Sequence, residues 1–161
     1  MPSKTDMRGF TLVELMITLV VLAIVASIAV PNFMGLMERN RVQTQAEELK
    51  SFLLYARNEA VSQNATITVT VDDEAPWTIQ RGSQESLRDL EHNPQAATIR
   101  TNVDEIKFRS NGTATAASFT VCHDDDTASG YFLETQASGA VSLFLRGKKD
   151  ANNTDLSNCT L

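Results

Sequence analysis

Few residues in this sequence are suited to acid–base or nucleophilic chemistry. The two histidines, His92 and His123, lie in no serine or cysteine nucleophile motif. His123 follows Cys122 directly, and neighbouring residues of a strand point to opposite faces, so we expect His123 to face solvent. The sequence therefore predicts a protein that is not an enzyme.

Metal-binding patterns are equally sparse. Cys122 and Cys159 are far apart, with neither a C-x-x-C spacing nor the paired histidines that zinc sites use. The run Asp124-Asp125-Asp126 offers the hard oxygen ligands that calcium prefers, but a solvated acidic turn is the interpretation that we favour. We expect neither a bound metal nor a cofactor.

The two cysteines favour a disulfide. The chain has an apolar segment near its N-terminus, and a pair of cysteines in the last third of such a chain is typical of an oxidising compartment. A bond between Cys122 and Cys159 would stabilise the fold by roughly 4 kcal/mol on the chain-entropy model. The alternative is a pair of buried free thiols in a cytosolic domain.

The charge balance argues against nucleic acid as a partner. The 161 residues include 14 Lys and Arg against 20 Asp and Glu, a formal net charge of −6. Three cations near the C-terminus, Arg146, Lys148 and Lys149, could hold a few phosphates at low salt, but such contacts weaken steeply as salt rises. A solvated basic loop is the alternative that we favour.

The element that could carry a distinct function is an apolar run near the N-terminus. Residues 10–30 contain a single charged residue, Glu14. As a helix they would be about 31 Å long, which matches the hydrocarbon core of a bilayer. A carboxylate in hydrocarbon costs several kcal/mol unless it is paired or neutralised, so Glu14 needs a positive partner. The competing interpretation, a hydrophobic signal region, is disfavoured by the length of the run.

The apolar run continues into an amphipathic pattern. After Pro31, apolar residues recur at spacings of three and four, at positions 42, 46, 49, 53, 56 and 60. No Gly or Pro interrupts residues 36–63, so we predict one helix over residues 10–63. Pro31 lacks the N–H that would bond the carbonyl of Ser27, and we expect the helix to kink or loosen near residues 27–31. The alternative is that Pro31 marks the end of the apolar span.

From residue 66 the pattern changes to a period of two, which predicts strands. The turn pairs Asn111-Gly112 and Ser138-Gly139 fall between consecutive strands, as antiparallel hairpins require. We expect residues 81–98 to form an irregular loop, and the tail after Arg146 to be held only by Cys159. The candidate strands are residues 66–71, 77–80, 105–109, 118–123, 131–135 and 140–145.

The N-terminal residues resemble a known signal. The run Arg8-Gly9-Phe10-Thr11-Leu12-Val13-Glu14-Leu15, followed by an apolar helix, resembles the class III signal sequence of type IV pilins and type II secretion pseudopilins. The resemblance implies that a prepilin peptidase cuts between Gly9 and Phe10 on the cytoplasmic face and methylates the new amino group of Phe10. It also implies that Glu14 contacts the peptidase and, in the assembled fibre, pairs with a mature N-terminal ammonium. Pro31 falls where the helix of this family is commonly interrupted.

The rest of the chain resembles one family of these proteins. The runs Phe108-Arg-Ser-Asn-Gly112-Thr113, Phe119-Thr-Val-Cys122 and Tyr131 to Gly139 look like the globular part of GspH/FimT minor pilins. A C-terminal cysteine that closes back on the strand of Cys122 resembles the pilus-priming FimU branch more than the secretion pseudopilins. FimT-like receptors bind DNA through a tail with Gly-Arg-x-Arg, whereas Gly139 is followed here by Ala-Val-Ser.

These resemblances imply an α+β, type IV pilin-like fold. A long N-terminal helix would pack on an antiparallel β-sheet head that carries a C-terminal disulfide. We expect a prepilin leader at residues 1–9, a transmembrane and assembly half of the helix at 10–31, an amphipathic half at 32–63 and a periplasmic β-rich head at 64–161.

The implied function is that of a minor pilin that primes type IV pilus assembly within a minor-pilin complex. The implied partners are prepilin peptidase, other minor pilins and the major pilin. We expect a single pass through the inner membrane with the head in the periplasm, and after assembly a place in the fibre near its tip. Two alternatives stay open: a minor pseudopilin of a type II secretion system, and a FimT-like DNA-uptake receptor.

Overall fold

A computed structural model describes residues 10–72, 75–83, 86–91 and 93–161 of the chain. The described residues form one helix, α1 at Leu12–Ser62, and eight strands. The chain divides into two compact units, residues 1–37 and residues 38–161, with the boundary inside α1. The strands are β1 at Ile67–Thr70, β2 at Trp77–Gln80, β3 at Arg88–Leu90, β4 at Thr98–Thr101, β5 at Glu105–Phe108, β6 at Ala117–Cys122, β7 at Tyr131–Thr135 and β8 at Val141–Leu143.

In the first unit, α1 presents apolar side chains on all sides. Its large hydrophobic residues over positions 12–37 are exposed. The hydroxyl of Thr18 donates a hydrogen bond to the carbonyl of Leu15 at 2.8 Å. The hydroxyl of Ser27 donates to the carbonyl of Ile24 at 2.7 Å. Both hydroxyls therefore bond to carbonyls of their own helix, and the surface around them stays apolar.

Pro31 lies inside α1, and the helix continues through it without a break. The side-chain amide of Asn32, the next residue, donates a hydrogen bond to the carbonyl of Ile28 at 2.9 Å. Pro31 removes the N–H that would bond the carbonyl of Ser27, whereas the Asn32 side chain bonds a different carbonyl. The helix therefore continues past Pro31 despite the missing backbone bond.

In the second unit, one face of α1 packs into the core of the head. The spacing of three and four residues places the buried residues on one side of the helix, as the sequence predicts. Phe52 is also fully buried and Gln45 nearly so, which makes the buried face broader than the predicted stripe. The predicted long helix is confirmed. The predicted stripe is fully buried at Val42, Ala46, Leu49, Leu53, Ala56 and Ala60.

The strands form two antiparallel sheets of four strands each. The first sheet has the order β3-β2-β1-β5 and the second has the order β4-β6-β7-β8. In the first sheet Val69 lies opposite Ile79 in one neighbour and opposite Ile106 in the other. The predicted antiparallel head is confirmed. It contains two sheets, where the sequence predicts one: the chain enters the second sheet at β4, returns to the first for β5 and then completes the second with β6 to β8.

The prediction of an irregular loop over residues 81–98 is wrong. This segment contains β3, and its last residue begins β4. Arg88 and Asp89 make β3 look like a charged loop, although Leu90 is buried opposite Trp77. Pairing with the neighbouring strands therefore overrides the weak local pattern.

Both predicted turns are present, but only the second joins a pair of neighbouring strands. The turn at residues 138–139 joins β7 to β8, and these two strands pair. The turn at residues 111–112 reverses the chain, with Phe108 opposite Ala114, but the predicted pairing of β5 with β6 is wrong because they belong to different sheets. An Asn-Gly pair supplies a tight reversal of the chain, but the partner of each strand is decided by packing.

The glycines of these two turns bring the turns together beside α1. Gly112 has a φ of +81° and Gly139 has a φ of +78°. The side chain of Arg57 donates a hydrogen bond from Nε to the carbonyl of Gly112 at 3.3 Å. A Cβ atom at Gly139 would lie 1.8 Å from the same carbonyl oxygen. Only glycine permits this approach of the two backbones.

The main hydrophobic core joins α1 to both sheets. Trp77 from the first sheet and Phe119 from the second are fully buried, and their ring centroids lie 6.1 Å apart. Burial of large side chains such as these contributes about 1.5–3 kcal/mol each. The core therefore fixes the position of both sheets on the buried face of α1.

Candidate functional site

Glu14 lies in the first turn of α1, where Thr11 contacts it. The backbone N–H and the hydroxyl of Thr11 each donate a hydrogen bond to Oε2 of Glu14 at 2.9 Å. The backbone N–H of Glu14 accordingly donates to the hydroxyl oxygen of Thr11 at 3.2 Å. This reciprocal pattern is a capping box, in which a Thr and a Glu three residues apart satisfy free N–H groups at the start of a helix.

The capping box gives Glu14 two hydrogen-bond donors, both from Thr11, in addition to the cation that the sequence predicts. The sequence signal was present, because Thr11-Leu-Val-Glu14 has the Thr-x-x-Glu spacing of a capping box. Both bonds to the carboxylate use the Oε2 atom. The cap orients the carboxylate but supplies no full positive charge. The requirement for a cation at Glu14 stays a prediction.

The predicted cleavage site lies between Gly9 and Phe10, and the structure describes only the second of these residues. Phe10 is described, is 76% exposed and precedes the helix. Gly9, with the rest of the predicted leader at residues 1–9, lies outside the described residues. The cleavage between Gly9 and Phe10 and the methylation of Phe10 therefore stay predictions.

The surface that follows Glu14 along α1 is suited to lipid or to other apolar helices. Among the described residues, α1 is the one helix that is long and apolar enough to cross a membrane. Its large apolar side chains over residues 12–36 are each at least half exposed. Such a surface is far larger than the apolar patches that soluble monomers carry, so it requires a nonaqueous surrounding.

The predicted disulfide between Cys122 and Cys159 is present. Its two Cα atoms lie 6.2 Å apart, and the cysteines are separated by 37 positions in sequence. The bond connects the end of β6 to the C-terminal tail. Leu156 and the ring of Phe132 pack against the two cysteines and form a second hydrophobic cluster.

The tail is held by more than the disulfide, so the prediction that only Cys159 holds it is wrong. The carbonyl of Cys159 accepts a hydrogen bond from the hydroxyl of Thr120 at 2.7 Å and one from Nη1 of Arg100 at 3.1 Å. The backbone N–H of Leu156 donates to the carbonyl of Gly147 at 2.9 Å. These bonds place the tail on the outer side of the second sheet. The bonds from Thr120 and Arg100 join residues far apart in sequence, so local patterns do not reveal them.

The three cations of the tail differ in their surroundings. Lys148 pairs with Asp155, with 2.5 Å between Nζ and Oδ1. Arg146 and Lys149 are exposed, and within the described parts of the chain no carboxylate lies within ion-pair distance of either. The structure therefore offers two of the three predicted phosphate contacts as free charges.

The acidic run at residues 124–126 does not form a metal site. Asp125 pairs with Arg100 at 2.5 Å, while the carboxylate of Asp126 accepts a hydrogen bond from the backbone N–H of Ala128 at 3.0 Å. A hydrogen bond from the Ser129 side chain holds the pKa of Asp126 below its usual range. Throughout the described ranges, no three His, Cys, Asp or Glu side chains cluster closely enough to hold a metal ion.

The histidines take no part in a catalytic arrangement that the structure describes. His123 lies beside the exposed Asp124, with 3.5 Å between Nε2 and Oδ2. Its side chain is 26% exposed, so it faces solvent only in part. His92 lies outside the described residues.

Comparisons with known proteins agree with this arrangement. The family model described as type II transport protein GspH matches residues 45–139, and the prokaryotic N-terminal methylation motif matches residues 4–30. A search of curated proteins found no significant match. These two matches together span the apolar half of α1 and most of the head.

Two kinds of solved structure are similar to the chain. The type IV minor pilin FimU of Pseudomonas aeruginosa is 28% identical, with a TM-score of 0.60, and the match covers 77% of this chain and 98% of that one. The minor pseudopilin EpsH from the type 2 secretion system of Vibrio cholerae is 13% identical, with a TM-score of 0.55, over 70% of this chain and 99% of that one. The EpsH likeness shows the fold, and the FimU likeness extends to the sequence.

Proposed function

This chain belongs to the GspH family of type IV pilins and pseudopilins, and we propose that it is a minor pilin that primes assembly of a type IV pilus. The observation that carries the proposal is the likeness to FimU, which is 28% identical over 98% of that chain, against 13% for EpsH. The disulfide that returns the tail to β6 supports the same branch of the family. An inner-membrane complex of minor pilins is the proposed setting.

The proposed division of labour follows the chain. The apolar half of α1 anchors the protein in the membrane, and the N-methylation motif implies processing by prepilin peptidase and assembly with other pilins. We place the leader at residues 1–9, the assembly half of the helix at 10–31, the amphipathic half at 32–63 and the periplasmic head at 64–161. The head then selects neighbouring minor pilins and the major pilin, near the tip of the fibre.

Glu14 is the residue on which the proposed assembly step depends. Before assembly, its carboxylate is satisfied by the donors of Thr11 at the start of α1. In a bundle of apolar helices, an N-terminal ammonium of Phe10 can add the positive charge that the cap does not provide. Breaking a buried ion pair costs about 3–5 kcal/mol, so this pair would fix the axial position of a subunit.

Exchange of Glu14 for Gln tests this step. Glu14→Gln keeps the size of the side chain and a carbonyl oxygen for the cap, but removes the charge. Loss of only about 1.4 kcal/mol of the ion pair's stabilisation already lowers an equilibrium tenfold, so we expect surface piliation to fall at least about tenfold. Glu48→Gln, at an exposed glutamate of the same helix, is the matched control and should leave piliation unchanged.

Processing has a separate readout. Mass spectrometry of the protein from cells should show loss of residues 1–9 and one added methyl group on Phe10. Gly9→Leu should leave the full-length chain, because a bulky residue replaces the small residue at the cleavage site. The proposal is wrong if Gly9→Leu and Glu14→Gln both leave processing and piliation at wild-type levels.

A second candidate function is that of a minor pseudopilin in type II secretion. The description of the matched family and the fold shared with EpsH favour it. Deletion of the gene would then reduce release of folded exoproteins and spare twitching motility, whereas a pilus component would give the opposite result. The DNA-uptake alternative has less support, because one of its three cations, Lys148, is paired with Asp155.

A further inference from the structure

The two sheets of the head have four edge strands, and only one of these lacks charge. Charged side chains on an edge strand discourage pairing with another chain. β3 carries Arg88 and Asp89, β4 carries Arg100, and β5 carries Glu105 and Lys107, which pair at 2.9 Å. β8, at the edge of the second sheet, has the sequence Val-Ser-Leu. It therefore has none of the charged side chains that protect the other three edges.

The extended edge is longer than the three residues of β8. The backbone N–H of Gln136 donates to the carbonyl of Ala140 at 2.9 Å, and that of Phe144 donates to the carbonyl of Phe132 at 3.0 Å. Pairing with β7 thus runs from residue 140 to residue 144. Residues 137–145 contain no charged side chain. The length of this edge suits the pairing of a short additional strand.

The outer backbone groups of this edge are open. In an antiparallel ladder, alternate residues direct their N–H and C=O groups away from the partner strand. Ala140, Ser142 and Phe144 face β7 in this pattern, so Val141 and Leu143 direct their groups outward. Over the described ranges, no other backbone group bonds to these outward groups. Beyond them, Leu145 is 68% exposed.

The charges at the end of the edge indicate the chemistry of its partner. Arg146 directly follows Leu145, and Lys149 lies three residues further on. Both are exposed and lack an ion-pair partner in the parts of the chain that the structure describes. An acidic segment would complement these two local cations. A second copy of β8 offers no carboxylate, since residues 137–145 are uncharged.

We propose that the β8 edge binds an extended apolar segment of another protein as an additional antiparallel strand, with carboxylates at the N-terminal end of that segment facing Arg146 and Lys149. Main-chain hydrogen bonds to residues 141 and 143 supply the pairing, and burial of Leu145 adds apolar contact. The proposal depends on strand geometry and charge, and it holds whether the protein serves a pilus or a secretion system. DNA fits less well, because residues 137–145 carry no cation to neutralise phosphates.

Photo-crosslinking in the producing cells tests the proposal. A benzophenone amino acid is placed at position 145 of the full chain, and the crosslinked residues of the partner are identified by mass spectrometry. The control is the same amino acid at position 161, because Leu161 is 51% exposed and lies beside β4, at the opposite edge of the second sheet. We expect position 145 to crosslink to an extended segment of another protein that has Asp or Glu within a few residues. Position 161 should not crosslink to that segment.

Charge reversal provides the second arm of the experiment. Arg146→Glu combined with Lys149→Glu should lower the crosslink yield at least about fivefold, whereas Arg41→Glu, at an exposed position of α1, should not change it. Urea unfolding of each variant checks that the head remains folded. Crosslinks to a second copy of this chain, to nucleic acid or to a helical segment would overturn the proposal. A yield at position 145 no higher than at position 161 would do the same.

Discussion

Gly139→Ala should destabilise the head strongly, because two backbones meet at that position. The added Cβ atom would lie 1.8 Å from the carbonyl oxygen of Gly112 and 3.0 Å from Nε of Arg57. A backbone oxygen cannot move aside as the end of a flexible side chain can, so the two turns must separate. The hydrogen bond from Arg57 to the same carbonyl, at 3.3 Å, would be disturbed with them.

The expected cost has three parts. A non-glycine residue at positive φ costs about 1–2 kcal/mol. Forcing an extra carbon into a packed site costs about 1–3 kcal/mol, and a lost hydrogen bond costs about 1 kcal/mol. We expect a loss of about 3–6 kcal/mol in the free energy of unfolding, which is a large share of the 5–15 kcal/mol typical of a domain.

Urea unfolding of the detergent-solubilised full chain measures this loss. The chain has a single tryptophan, Trp77, which is 1% exposed, so its fluorescence reports on the main core. Gly82→Ala is the matched control, because Gly82 also has a positive φ, +61°, but nothing lies within 4 Å of its added Cβ. Gly82→Ala should therefore cost only about 1–2 kcal/mol. Equal losses for Gly139→Ala and Gly82→Ala would refute the close-approach argument.

Three further outcomes follow from the tail and the acidic turn. Thr120→Val should lower the free energy of unfolding by about 0.5–1.5 kcal/mol, because the carbonyl of Cys159 loses its 2.7 Å donor but keeps the bond from Arg100. Thr70→Val, at an exposed position, should change it little, and urea unfolding compares the two variants. Reduction of the bond between Cys122 and Cys159 should cost about 2–4 kcal/mol, measured by unfolding with and without reductant. The pKa of Asp126 is lowered in the folded state, so its carboxylate stabilises the fold at pH values above the unfolded pKa of about 3.9. This stabilisation is lost as the pH falls through the folded pKa. Asp126→Asn should therefore show a smaller loss of stability between about pH 5 and pH 2.

The long helix could be predicted from sequence because its signal is local and strong. The apolar run and the spacing of residues such as Val42, Ala46 and Leu49 each specify a helix over many turns. The start of the helix is also marked in the sequence, by the Thr-x-x-Glu spacing of Thr11 and Glu14. The disulfide was predictable from cysteine count and the presumed compartment.

The arrangement of the head could be predicted only in part, because strand partners are decided by distant residues. Leu90 of β3 is buried opposite Trp77, but the charged residues beside it conceal the strand. The Asn-Gly pair at residues 111–112 marks a reversal, yet the strands that it joins lie in different sheets. The contacts of Arg100 with the carbonyl of Cys159 join positions 59 residues apart, and no local pattern reports such a distance.

The tail adds to the head a second, smaller hydrophobic cluster that is separate from the main core. Thr120 and Cys122 point away from the main core, yet they are buried because the tail covers them. Segments with few buried apolar contacts are the ones that open locally while the rest of a protein stays folded. With the disulfide reduced, the tail would be such a segment, and its opening would leave Trp77 buried in the main core. The disulfide ties the tail to β6, a central strand of the second sheet, and thereby holds the surface that the tail forms in one conformation.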